Sequence, residues 1–218
     1  MKKVRFCLLL LAALLLFATC KELPTLKPTQ EGYRSSDGKL YCEAPMNYLA
    51  ATRSKTPVAR LVDATGERAL YDAKDGFLCD EDGELFAPKD FTFPLLLTFS
   101  ANRVSICKEE AMRVELASST DEELLKHLSG VFYFSDVHLS RDDLPQGFTS
   151  SRYLLLFSSE TYPNLFYRME YLVFEKGDDS DVEWIFDMDR VTLLYDRELD
   201  YYVFAHSALY DLVSGDLS

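Results

Sequence analysis

Asp136-Val137-His138 is the arrangement in this chain that most resembles a piece of chemical machinery. The stretch Val131–Val137 is apolar and aromatic and reads as a strand. Residues i and i+2 of a strand share a face, so Asp136 and His138 are placed to touch one ion. A second acidic block, Gly177-Asp178-Asp179-Ser180-Asp181, follows later. Asp80-Glu81-Asp82-Gly83-Glu84 opens like a calcium loop, but the twelfth position from Asp80 is Phe91, where such a loop needs a bidentate Glu. A hairpin turn of the D-G type is the better reading. Ser207 with His206, and Ser135 with His138, place a nucleophile near a base. Neither pair forms a dyad by itself, because adjacent residues on a strand point apart. The chain has no G-x-S-x-G elbow, no G-x-G-x-x-G and no Walker loop.

Phe134-Ser135-Asp136-Val137-His138-Leu139 resembles the first metal-binding block of the calcineurin-like metallophosphoesterases, and Gly177–Asp181 matches their Gly-Asp-x-x-Asp block. The resemblance implies a dinuclear metal site, which also needs an Asn-His block and further histidines. This chain has three histidines, His127, His138 and His206, and no Asn-His dipeptide. Half a ligand set does not hold two metals. The expectation is therefore an Asp136–His138 pair on a strand face, no metal and no cofactor.

The N-terminus carries the clearest message. Lys2, Lys3 and Arg5 precede an uncharged apolar run from Phe6 to Phe17, then Ala18, Thr19 and Cys20. This is the tripartite pattern of a secretory signal peptide, and the run is short for a membrane span. Phe17-Ala18-Thr19-Cys20 resembles the lipobox of bacterial lipoproteins, with Phe17 in place of the usual Leu and Thr19 in place of Gly or Ala. The resemblance covers residues 1–20. It implies cleavage before Cys20 and attachment of lipid to its sulfur. Two or three acyl chains hold a protein on a bilayer where one does not. A plain cleaved signal and an uncleaved anchor helix are the alternatives.

The 218 residues carry 23 basic and 36 acidic side chains, a net −13 that deepens once Lys2, Lys3 and Arg5 are removed. Such a surface repels nucleic acid, which excludes that class of partner. Hydrophobic residues make up 48%, enough for a packed core rather than a disordered chain. Of five cysteines, Cys7 lies in the signal and Cys20 is the anchor; Cys42, Cys79 and Cys107 remain. Their spacing matches no zinc pattern. Cys42 and Cys79 are the expected disulfide, although three pairings can be written and all three can equally be buried thiols.

The elements that must position these groups are mostly strands. Residues 1–19 are the signal, and residues 20–36, with two prolines and many polar side chains, read as a tether. Residues 37–218 form the body. Its first half reads as strands at Lys39–Glu43, Pro57–Asp63, Arg68–Tyr71, Phe77–Cys79, Glu84–Phe86, Phe93–Phe99 and Arg103–Cys107. Thr120-Asp121-Glu122-Glu123 is a capping box that opens a helix, with Thr120 as N-cap and Gly130 as its stop. Tyr153–Phe157, Leu165–Phe174, Val182–Phe186, Val191–Tyr195 and Tyr201–Ala205 continue as strands, and Ser207–Val213 suits a last helix. The fold class is β-rich α+β: an antiparallel meander or curled sheet with one or two short helices. Arg141–Ser151 is the expected joint between lobes 37–140 and 152–218. Tyr167, Met169, Tyr171 and Val173 share one face of their strand and should meet Val182, Trp184 and Phe186 in the core.

These readings describe a membrane-anchored extracytoplasmic lipoprotein with a non-enzymatic binding or interaction domain. The membrane, through the lipid, is one partner; an envelope protein, glycan or peptide is the other. The alternatives are an extracytoplasmic hydrolase with an unrecognised site and a carrier of an apolar ligand.

Overall fold

The computed structural model describes residues 22–108, 114–146, 148–176 and 188–215. The chain builds two strand systems around a shared core, and the fold is β-rich α+β.

The first system is a small closed barrel. Its strands are β1 (Thr25–Thr29), β2 (Gly32–Ser35), β3 (Leu40–Glu43), β5 (Pro57–Asp63), β6 (Gly66–Asp72), β7 (Leu78–Cys79) and β8 (Leu85–Pro88), in the order β1-β2-β3-β8-β7-β6-β5. A parallel pairing of β1 with β5, Thr25 opposite Arg60 and Leu26 opposite Leu61, closes the ring and leaves no open edge. Turn chemistry sets its hairpins. Gly83 takes φ 86° in the turn between β7 and β8, where the Asp80 carboxylate accepts from the amides of Asp82 and Glu84, each at 3.0 Å. Gly32, at φ 120°, is demanded by space as well: a Cβ there would lie 2.3 Å from the carbonyl oxygen of Tyr41. Leu26, Tyr41, Leu61, Leu70, Leu78 and Phe86 fill the interior.

The second system is a sheet of β9 (Arg103–Lys108), β10 (Glu115–Ser119), β11 (Thr149–Ser158), β12 (Leu165–Glu175), β13 (Arg190–Asp196) and β14 (Tyr201–Phe204), ordered β10-β9-β11-β12-β13-β14. A short strand from the first half, β4 (Tyr48–Ala50), pairs with β12 ahead of β13. β12 is covered on both faces. Tyr167, Met169, Tyr171 and Val173 join the main core with barrel residues Phe77, Leu85 and Ala87, while Leu172 and Phe174 pack beneath Leu139 and Leu193. The apolar face expected on this strand is present; its proposed partners around Trp184 lie outside the described residues.

Two helices pack on the sheet: α1 (Glu122–Phe134) and α2 (Ser207–Ser214). The N-cap of α1 is Asp121, whose carboxylate accepts from the Leu124 amide at 2.7 Å, so the cap lies one residue beyond the expected Thr120. Leu124, Leu125, Leu128, Val131 and Phe132 continue one buried stripe through Gly130. The helix therefore overruns the expected strand Val131–Val137: the 3.6-residue stripe outweighs the β preference of a Val-Phe-Tyr-Phe run.

Three further expectations are corrected. Residues 20–36 are not a tether throughout, because β1 and β2 are barrel strands and Leu26 is fully buried. Phe93–Phe99 is a loop with a 3-10 turn at Leu96–Thr98, in which Leu95 and Leu97 are exposed. Pro94 has no amide for a ladder, and its carbonyl accepts from the Tyr48 hydroxyl. Finally, Arg141–Ser151 is no joint between lobes. It holds a 3-10 turn and the start of β11, and apart from β4 the strands of the two systems divide between β8 and β9.

Candidate functional site

β12 has an unusual edge. β4 pairs with its beginning, the last contact being Tyr167 opposite Tyr48, and β13 pairs with its end, starting at Glu170 opposite Tyr195. The two partners lie end to end: the Arg168 amide still donates to the Asn47 carbonyl at 2.7 Å, and a gap opens beside Met169. Polar side chains fill that gap. Asn47 and Asp196 are 3% and 1% exposed.

The Asp196 carboxylate organises the cluster. Oδ1 accepts from Asn47 Nδ2 at 2.7 Å and from the amides of Glu198 and Leu199 at 2.9 and 3.1 Å. Oδ2 accepts from the Tyr167 hydroxyl at 2.8 Å. Nδ2 of Asn47 also donates to the Tyr167 oxygen at 3.0 Å. Three residues from β12, β13 and the segment before β4 thus close a triangle, and the same carboxylate shapes the turn after β13. Below it, Arg168 donates to the Met46 carbonyl at 2.6 Å and pairs with Glu84 of the barrel at 3.0 Å. Glu170 pairs with Arg197 at 2.7 Å.

Above the triangle lies a pocket of about 220 Å³. Tyr48, Phe93, Tyr133 and Tyr167 wall it; Leu95, Glu198 and Leu199 form its rim. The Tyr48 ring stands 4.7 Å from Phe93 and 5.2 Å from Tyr167, at interplanar angles of 47° and 79°, so the rings meet as walls and do not stack. Burial first, and the charge of Asp196 after it, hold the phenols of Tyr167 and Tyr133 above their ordinary range. Tyr48 is raised by burial, with smaller contributions from Tyr162, Tyr133 and Asp196. The negative potential of that carboxylate thus reaches three of the four rings. One polar atom stays unused: Oδ1 of Asn47, buried and without a hydrogen-bond partner among the described residues. A buried acceptor left so is costly and calls for an occupant.

Two wider clefts, of about 440 and 470 Å³, lie along α1. Two polar groups of the second serve the helix ends: Asp121 caps α1, and His206 caps α2 by accepting from the Ala208 amide at 3.2 Å.

The residues singled out in the sequence fall elsewhere. Asp136 and His138 are exposed in the segment after α1 and lie on no strand; the His138 ring packs on Tyr201 at 4.3 Å. Gly177–Asp181 lies outside the described residues, as does Cys20. No group of three or more His, Cys, Asp or Glu side chains suited to a metal ion occurs among the described residues. Asp80–Gly83 is the hairpin turn expected of it. Ser207 opens α2, as the expected last helix has it, with His206 as its N-cap, and the His206 ring meets His127 at 4.9 Å. Cys42, Cys79 and Cys107 are thiols, and the expected Cys42–Cys79 disulfide is not formed. Cys42 pairs with Ala87 and Cys79 with Leu85, so β8 runs between them. Two strand spacings, roughly 9–10 Å, exceed the reach of a disulfide. Sequence reasoning passed over Asn47 and Tyr48 as coil and took Asp196 as a turn residue. Asp196 instead closes β13, opposite Tyr201, and it is its carboxylate that shapes the turn that follows.

Comparison with known protein families, with characterised proteins and with solved structures gives no match for this chain.

Proposed function

We propose that the chain is a membrane-anchored extracytoplasmic lipoprotein of a bacterial envelope, with a body that binds and does not catalyse. The basic start, the apolar Phe6–Phe17 run and Phe17-Ala18-Thr19-Cys20 support the anchor. β1 begins at Thr25, so at most about 18 Å of chain separates the Cys20 and Thr25 backbones. The body then stands on the bilayer surface, without a long tether between them.

The observation that carries the binding reading is the aromatic pocket itself, lined by Asn47, whose buried Oδ1 has no hydrogen-bond partner among the described residues. Binding sites are concave and largely apolar, with a few polar groups that fix orientation. A volume of about 220 Å³ suits one side chain or one small group of a larger partner, a peptide, a glycan or an envelope protein. The side chains that fill the barrel speak against a carrier of apolar ligands.

Two measurements test this. Cys20→Ala should abolish membrane attachment and leave the unprocessed precursor, read by detergent-phase partitioning and mass spectrometry of the N-terminus. An unmodified mature chain beginning elsewhere overturns the anchor. Peptide and glycan fragments titrated onto the mature protein should shift the side-chain amide resonance of Asn47. Saturable binding that bypasses Asn47 overturns the assignment of the site.

A further inference from the structure

We propose that the pocket at Asn47 receives an organic cation: an ammonium group on a short apolar stem. This rests on the reading that the pocket is the binding site, and it names the chemistry of the occupant.

The walls are the rings of Tyr48, Phe93, Tyr133 and Tyr167, set at angles to one another. Aromatic faces carry negative charge density and attract cations, the more so where water is excluded. The floor holds the Asp196 carboxylate and the rim holds that of Glu198. No Lys or Arg lines the pocket among the described residues. Asn47 Oδ1 is an acceptor without a donor. Asn47 cannot turn its amide round to cure this, because Nδ2 is held by Asp196 and by the Tyr167 oxygen. An ammonium group brings three donors and no acceptor, which suits the aromatic walls and the two carboxylates; Oδ1 is closed off from solvent, and the cation reaches it only if the side chains over it shift. An anion would face Asp196, and an alkane would leave Oδ1 unsatisfied. The volume admits one such group and its stem, with no room for a large cofactor.

A free amine and a lysyl side chain on a peptide share this chemistry. The probes are n-butylammonium and the capped peptide acetyl-Gly-Lys-Gly-amide, each against its neutral counterpart, n-pentane and acetyl-Gly-norleucyl-Gly-amide. Titrations onto the mature protein are followed by the Asn47 side-chain amide resonance. The cation should bind about tenfold tighter than its neutral counterpart. A preference shown by the peptide but not by the amine assigns the cation to a protein partner, and the reverse assigns it to a metabolite. Tyr133→Leu and Glu198→Gln, both at exposed positions, should each reduce the preference about threefold; the second keeps an oxygen to accept from the Met46 amide, as the Glu198 carboxylate does. Equal binding of cation and neutral probe overturns the cation while leaving the pocket as a binding site. No binding of any probe at millimolar concentration overturns both. A preference untouched by the two variants places the cation elsewhere on this acidic surface.

Discussion

Asn47 and Asp196 lie 149 residues apart in the chain and 2.7 Å apart in the fold, joined by an amide-to-carboxylate hydrogen bond. That contact ties the loop before β4 to the end of β13, and with Tyr167 it joins the halves of the molecule through one buried carboxylate.

Asp196→Ala should cost about 3–5 kcal/mol, since Asn47, Tyr167 and two backbone amides lose their acceptor in a dry place. Tyr167→Phe removes only one donor and should cost about 1–3 kcal/mol. Urea unfolding gives both values. A smaller loss for Asp196→Ala than for Tyr167→Phe would mean that the carboxylate does not organise the cluster.

Gly32 and Gly38 both have positive φ, 120° and 91°, but only Gly32 has a backbone atom where a Cβ would go. Gly38→Ala should therefore cost about 1–2 kcal/mol from backbone strain, and Gly32→Ala distinctly more, about 3 kcal/mol or above. Thermal denaturation of the pair separates strain from collision. Equal losses would show that Tyr41 moves aside freely.

Cys42 is half-buried, with its thiol directed to the Glu31 carbonyl at 3.7 Å, while Cys79 and Cys107 are buried. A thiol reagent applied to the native mature protein should label Cys42 first, and the other two only on unfolding. Peptide mapping reads the order. A Cys42–Cys79 cross-linked peptide recovered without added oxidant would contradict the barrel register.

Alkaline pH should weaken the fold in a defined window. The Tyr33 hydroxyl donates to Glu43 at 2.6 Å, which pushes its pKa up to about 12; the Tyr195 hydroxyl donates to Asp200 at 2.7 Å and is likewise raised to about 12. Unfolded tyrosines titrate near 10. A raised folded value means that the stabilising contribution is complete below about pH 10 and is lost as pH climbs towards about 12. Both rings are partly buried, but their acceptors Glu43 and Asp200 are exposed to water, so the loss is modest. Urea midpoints at pH 9 and pH 11 measure it, and Tyr33→Phe with Tyr195→Phe should flatten the slope.

The elements governed by near neighbours were legible. Asp80-Glu81-Asp82-Gly83 specifies its own hairpin through carboxylate and glycine. The alternation of Tyr167, Met169, Tyr171 and Val173 names the core face of β12. Where competing local signals met, distant packing decided. Val131–Phe134 has strand-forming residues, yet the stripe begun at Leu124 carries the helix through them. Thr25–Ser35 looks polar because every strand of a narrow barrel shows one side to water, and Leu26 and Ser35 are its only buried positions. The candidate site was hidden for a deeper reason. Asn47, Tyr167 and Asp196 are ordinary residues in ordinary local settings, and only the end-to-end seating of β4 and β13 on β12 brings them together.

The closure of the barrel has a mechanical side. β1 is the strand nearest the N-terminus, and it is held by β2 on one edge and by β5, running parallel, on the other. A pull applied along β1 from its N-terminal end loads two rows of backbone hydrogen bonds together in shear. Such a joint yields as a whole or not at all, unlike a hairpin opened bond by bond from its end. The first strand thus works as a rivet, and whatever tilts or drags the N-terminus turns the whole body, and the mouth of the pocket, with it.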